Sequence, residues 1–148
     1  MKKLFQLLSL FSVIELAINF SSCKKEGCTD TAATNFESAA KKDDGTCRYD
    51  PAVFSGTYNM RDTTTDLIGV VITQDYELTI VYGGIVNEIE LQSLSNSGEN
   101  FKATIRGNNF TIPPQGTVTQ GEGLVTGNKI RIAFSYNNFT CVGTGVKQ

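Results

Sequence analysis

From Val53 to the C-terminus, Val, Ile, Thr, Tyr and Phe alternate with polar residues, and Gly or Asn pairs punctuate the run. A two-residue period places successive side chains on opposite faces of a strand, so the pattern predicts short antiparallel strands. No segment carries a convincing 3.6-residue apolar period, which argues against a helical core. Nine strands are read: near Gly56–Arg61, Leu67–Thr73, Tyr76–Tyr82, Asn87–Leu94, Phe101–Arg106, Asn109–Ile112, Thr117–Thr126, Lys129–Tyr136 and Phe139–Val146.

Turn chemistry sets several registers. Gly127-Asn128 is a two-residue hairpin signal that pairs Val125 with Ile130 and Gly121 with Phe134. Asn137-Asn138 is a second, pairing Tyr136 with Phe139, Phe134 with Cys141, Ile132 with Gly143 and Ile130 with Gly145. One face is then large on the penultimate strand and small on both neighbours, as a curved sheet or barrel requires. A third register follows from charge. Ile89 opposite Ile105 and Leu91 opposite Ala103 would set Glu88 across from Arg106 and Gln92 across from Lys102, a favourable cross-strand arrangement. It leaves Leu94–Asn100 as a loop. Consecutive antiparallel strands must hide their edges, so the expected fold is all-β: an antiparallel up-and-down barrel or sandwich of eight or nine strands.

The chain has 148 residues, which is one domain with room for a short appendage. It contains no His, which excludes His-ligated metals and a His general base. A net charge of −2 argues against a nucleic-acid partner. No Gly-rich phosphate loop opens a helix.

The first 22 residues are read as a leader. Lys2 and Lys3 precede a mostly apolar run from Leu4 to Phe20, followed by Ser21-Ser22-Cys23. Charge, apolar run and small residues in that order mark a secretory signal. The run is short for a span and carries Glu15 and Asn19. Ser-Ser-Cys resembles the looser bacterial lipoprotein signal common in Bacteroidota, with Phe20 where the stricter pattern has Leu. The resemblance implies that Cys23 is acylated and becomes the first residue of the mature chain, anchoring it to the cell envelope at the outer membrane. Without Lys2, Lys3 and Glu15 the remainder carries 11 basic and 14 acidic side chains. The anchor is then the lipid rather than a polybasic patch, and residues 23–26 form a tether.

Export implies an oxidising compartment, where cysteines pair. With Cys23 lipidated, Cys28, Cys47 and Cys141 remain. Cys28 and Cys47 bracket a short polar segment with little core of its own, and a bond closing it is worth about 3 kcal/mol. Cys141 falls on the inner face of the last strand and is read as a buried, inert thiol. Residues 27–50 hold Gly27-Cys28-Thr29-Asp30, Ala33-Thr34-Asn35-Phe36 and Asp43-Asp44-Gly45-Thr46-Cys47-Arg48-Tyr49. They resemble a short Cys-bracketed module of secreted Bacteroidota proteins, which implies a disulfide-closed surface module. Asp30, Asp43 and Asp44 are weak calcium candidates without EF-hand spacing. Turn chemistry explains them more simply, with Asp30 capping a short helix over Thr31–Phe36 and Asp44-Gly45 forming a turn.

Within a domain of residues 51–148, the stretch from Gly56 to Gly145 resembles in architecture the lipocalin-like domains of Bacteroidota lipoproteins. The residues that carry this are the Gly56-Thr57-Tyr58 opening, Phe110-Thr111-Ile112-Pro113 and the closing Gly143-Thr144-Gly145. Tyr58, Leu78, Ile80, Ile89, Leu91, Phe101, Ile105, Phe110, Ile130, Ile132 and Phe134 are the expected inward set. Of these, Tyr58, Leu78, Ile80, Ile89, Leu91, Phe101 and Phe134 are candidates to line a ligand cavity. An eight-stranded barrel is at the size where the interior is filled or holds one small ligand; a mostly filled interior with a shallow mouth is expected. Asp62, Asp66, Asp75 and Glu77 could supply a carboxylate pair for glycoside hydrolysis, yet Asp62 and Asp66 flank a Thr63-Thr64-Thr65 loop and Asp75 sits in a Gln74-Asp75 turn. The expected function is non-enzymatic and free of metals and cofactors: binding of a small apolar ligand or an envelope partner. The alternative is a structural subunit with a filled barrel, and a remote one is a carboxylate-dependent hydrolase.

Overall fold

A computed structural model describes residues 24–137 and 139–148. The expected leader, the Cys23 lipidation site and Asn138 of the last hairpin lie outside the described residues. The alternating pattern produces eight strands: β1 (Gly56–Thr65), β2 (Val71–Tyr82), β3 (Glu88–Gln92), β4 (Asn100–Arg106), β5 (Asn109–Ile112), β6 (Val118–Thr126), β7 (Lys129–Tyr136) and β8 (Phe139–Lys147). Each runs antiparallel to the next, and β8 pairs with β1. The sheet therefore closes into an up-and-down barrel with no free edge.

The expected hairpin registers hold around β6, β7 and β8. Val125 pairs with Ile130, Phe134 with Cys141 and Ile130 with Gly145. The small inner positions are filled by large neighbours. A Cβ on Gly121 or Gly123 would collide with Phe134 or Phe110, and one on Gly143 or Gly145 with Asp62 or Met60.

Three expectations are corrected. The strand read over Leu67–Thr73 and the one over Tyr76–Tyr82 are parts of one strand, β2, and Gln74-Asp75 is no turn. Thr63-Thr64-Thr65 is likewise the end of β1, not a loop. The chain reverses instead at Asp66–Val70, where the Asp66 carboxylate accepts from the backbone N–H groups of Ile68 and Val70. Three consecutive β-branched threonines suit a strand better than a turn.

The β3–β4 register is shifted by two residues from the charge-based expectation. Ile89 faces Ala103, Leu91 faces Phe101 and Glu88 faces Thr104. Lys102 lies opposite Glu90 and reaches Glu88 at 2.7 Å. The expected Glu88–Arg106 pair does not form, and Arg106 approaches Asp30 instead, so surface charge did not set the register. Burial of Leu94 in a 3₁₀ turn (Leu94–Asn96) draws that residue out of the expected loop.

The third correction concerns the N-terminal segment. Residues 31–36 form turns and no helix. Asp30 still accepts from the Ala32 N–H, as an Asx turn. The Cys28–Cys47 disulfide is present with sulfurs 2.06 Å apart. The segment packs on one end of the barrel through Asn87, which sits in the β2–β3 turn at φ 62°. Its side chain accepts from the Tyr49 N–H at 2.8 Å and donates to the Cys47 carbonyl at 2.7 Å. Phe54 and Phe110 meet edge to face behind this contact, with ring centroids 5.8 Å apart. The Tyr58 hydroxyl donates to the Phe54 carbonyl. That end of the barrel is closed.

Candidate functional site

The opposite end is bounded by the β1–β2, β3–β4, β5–β6 and β7–β8 connections. A recess of about 310 Å³ opens there, with Phe101, Phe134 and Tyr136 among its walls and Leu94, Ser95 and Glu99 along the β3–β4 connection. Phe134 and Tyr136 stack with centroids 6.1 Å apart. The β3–β4 connection bends over the mouth through three left-handed residues, Ser93 (φ 62°), Ser95 (φ 54°) and Asn96 (φ 55°). Non-glycine residues in this region store strain of about 1–3 kcal/mol each. Gln74 of β2 donates to both the Ser95 carbonyl and its hydroxyl, at 3.0 and 2.6 Å.

Beneath Ser95, inside the wall, lies a polar group of side chains from three strands. Asp62 and Thr64 come from β1, Tyr76 from β2 and Cys141 from β8. Asp62 is 0% exposed. Its partners across the two ladders are Gln74 and Gly143, and the missing side chain of Gly143 leaves the space it occupies. The Tyr76 hydroxyl donates to Asp62 Oδ1 at 3.2 Å, whereas Oδ2 has no hydrogen-bond partner among the described residues. Burial pushes the Asp62 carboxyl above the usual carboxylate range. The nearby Ser95 and Tyr76 hydroxyls oppose that shift, Ser95 without a hydrogen bond of good geometry. Burial and the Asp62 charge also push the Tyr76 phenol up. The Cys141 thiol is free and buried, 3.0 Å from the Thr64 hydroxyl. Burial raises its pKa, so it stays a thiol rather than a nucleophilic thiolate.

The seven candidate lining residues divide. Phe101 and Phe134 line the mouth recess. Tyr58, Leu78, Ile80, Ile89 and Leu91 are buried in the packed interior. The four candidate catalytic carboxylates are not brought together as a pair. Asp66 caps its turn. Asp75 forms a bidentate ion pair with Arg61 on the outer wall, and the guanidinium lowers its pKa. Glu77 is exposed and accepts from Gln148. Asp62 corrects the expectation most: it is a buried wall residue, not a solvated turn carboxylate. The signal was present in the alternation, since Tyr58, Met60, Asp62 and Thr64 share one parity and Tyr58 was read as inward.

The weak calcium candidates are spent on local structure. Asp30 accepts from the Tyr49 hydroxyl at 2.7 Å and approaches Arg106 at 3.5 Å. Asp43 and Asp44 accept from backbone N–H groups of Gly45 and Thr46. Among the described residues no group of three carboxylates or cysteines is placed to hold a metal. A larger groove of about 820 Å³ crosses the barrel wall between β6 and β2 by way of β7, β8 and β1, but exposed side chains build most of it, its charged residues Arg61, Asp75, Glu77, Lys129 and Arg131 among them. The mouth recess, whose Ser95 lies beside the buried Asp62 carboxyl, is the candidate ligand site. No protein-family model matches the chain, and no curated protein or solved structure matches it either.

Proposed function

We propose that this chain is a non-enzymatic binding module of the bacterial cell envelope, lipid-anchored through Cys23 at the outer membrane. The observation that carries the binding reading is the recess of about 310 Å³ at one end of an otherwise filled barrel. Its aromatic walls suit a small, largely apolar ligand. The likeness of the stretch from Gly56 to Gly145 to lipocalin-like domains, and of Ser21-Ser22-Cys23 to a lipoprotein signal, supports the same reading.

A second reading rests on a different surface. The β1–β2 hairpin presents Leu67 and Ile68 at 81% and 85% exposure, with Val70, Val71 and Ile72 also exposed. A contiguous apolar tip of this kind favours an envelope protein partner.

Native mass spectrometry of the full chain, extracted from its own envelope, separates the two. A reproducible small mass lost on denaturation supports the ligand reading, and added mass at the N-terminus from acyl chains supports the anchor. A clean unliganded mass, with cross-links to one envelope protein through the hairpin, overturns the ligand reading in favour of the second.

A further inference from the structure

The mouth recess has no Lys or Arg in its lining. Its walls include three aromatic rings, from Phe101, Phe134 and Tyr136, and Glu99 stands on the β3–β4 side. Glu99 accepts from the Thr117 hydroxyl at 3.2 Å and forms no ion pair among the described residues. Behind Ser95, Asp62 keeps one carboxylate oxygen without a partner in a fully buried position. Each feature disfavours a different ligand class. An anion would meet two carboxylates and no compensating cation. A wholly apolar ligand would leave the buried Asp62 oxygen as unpaired as it is in the free chain and gain nothing from it. A cation with N–H donors answers both, because aromatic faces attract positive charge and a carboxylate oxygen accepts from it.

We propose that the mouth recess binds a small primary alkylammonium ion, with its ammonium on the free oxygen of Asp62 and its alkyl chain against Phe101, Phe134 and Tyr136. The inference rests on the reading of the mouth as a ligand site and names the chemistry of that ligand. Ser95 borders both the recess and the carboxyl, so it must swing aside for the ammonium to reach Asp62. Its left-handed backbone, flanked by two further left-handed residues, makes the β3–β4 connection the part of the mouth with most strain to release. Glu99 adds negative potential on the path inward. A primary rather than quaternary ammonium is required, since the vacant oxygen lacks a donated proton, not merely a charge.

The test is a titration of the full chain in neutral-detergent micelles, followed by amide ¹H–¹⁵N spectra. The probes are n-hexylammonium chloride, n-hexanol and sodium hexanoate. Hexylammonium is expected to shift Ser95, Phe101, Phe134 and Tyr136, and to bind about tenfold or more tightly than hexanol, the gain of a charged over a neutral hydrogen bond. Asp62→Asn should weaken hexylammonium by a similar factor and leave hexanol unchanged. If Asp62→Asn fails to fold, Phe134→Leu provides the second readout: it keeps an apolar wall and should weaken hexylammonium more than hexanol. Equal binding of hexylammonium and hexanol at the mouth overturns the cation inference and leaves the mouth reading standing. Preference for hexanoate overturns it by sign. Absence of shifts with all three probes also overturns it, and the native mass then decides the mouth reading on its own.

Discussion

The two ends of the barrel are built on different terms. At the closed end the polar groups that join the two parts are used in full. Asn87 both accepts and donates, Asp30 holds the Ala32 N–H and the Tyr49 hydroxyl, and Tyr58 donates to Phe54. Phe54 and Phe110 fill the space behind them. At the open end Asp62 keeps a vacant oxygen, Cys141 an unoxidised thiol, and the β3–β4 connection three left-handed residues. Local departures from good packing and satisfaction concentrate at functional sites and are tolerated when the remainder of the fold over-determines them. In this molecule the over-determination comes from the far end.

That contrast is tested first by truncating one ring at each end. Phe110→Ala should lower unfolding free energy by about 3–5 kcal/mol, because the ring is buried between Phe54 and the bare backbone of Gly123. Phe134→Ala should lose less: the ring is 4% exposed, but it borders the recess, where neighbours can relax into the space it leaves. Urea denaturation of both variants checks this, and equal losses would abolish the distinction between the ends. Next in size is the disulfide. Replacing Cys28 and Cys47 by Ser should remove about 3 kcal/mol. Hydrogen exchange should then rise in the N-terminal segment and around Asn87 but not at β7 and β8 near the mouth. Exchange rising equally at both ends would show that the segment supports the whole barrel rather than its closed end.

Asn87 sharpens the same comparison. Asn87→Ala removes two hydrogen bonds to the segment and places a Cβ residue at φ 62°, for a loss of about 2 kcal/mol. Asn87→Gly removes the same bonds and tolerates the backbone, so it should recover about 1 kcal/mol of that loss. Melting temperatures of the pair separate the backbone contribution from the hydrogen bonds. Identical values would mean that the left-handed turn is held by neighbours rather than by the residue.

Legibility followed locality rather than the end of the barrel, since the β6–β7 turn lies at the closed end and the β7–β8 turn at the open one. Gly127-Asn128 and Asn137-Asn138 are local signals, and two-residue turns lock a register without help from the rest of the chain. Alternation then assigns Ile130, Ile132 and Phe134 to the interior at once. The Cys28–Cys47 pairing follows from the small polar loop it closes. The misreadings fall where non-local packing decides. The expected Glu88–Arg106 pairing is too weak to set a register, and Leu91 packs opposite Phe101 instead. Thr63-Thr64-Thr65 and Gln74-Asp75 look like breaks because polar residues interrupt the apolar rhythm, yet Thr64 is buried, as is Asp62 just before the run. A carboxylate on the inward parity breaks the rule that strand interiors are apolar, and such a breach marks a site more often than it marks a turn.

The smallest expected effect carries opposite signs at the two ends. Backbone and side-chain hydrogen bonds lower the pKa of Asp30, the Ala32 N–H first and the Tyr49 hydroxyl next. Its contribution is therefore present above the ordinary carboxylate pKa and is lost as pH falls through the lowered folded value. Asp62 is shifted the other way, because burial disfavours its charge. The fold then prefers its protonated form. The penalty is absent below the ordinary pKa, grows as pH rises toward the folded pKa, and is constant above it. Asp62→Asn should stabilise the barrel at pH 7 by about 1 kcal/mol and match the parent chain below the ordinary carboxylate pKa. Asp30→Asn should do the reverse, weakening the fold at neutral pH and converging with the parent in acid. Urea midpoints of both variants from acid to neutral pH read the two slopes directly. A stabilising Asp62→Asn that also loses hexylammonium would mean the vacant oxygen is kept for a ligand, whereas a destabilising one would mean that the carboxylate is satisfied within the fold and the open end is as well settled as the closed.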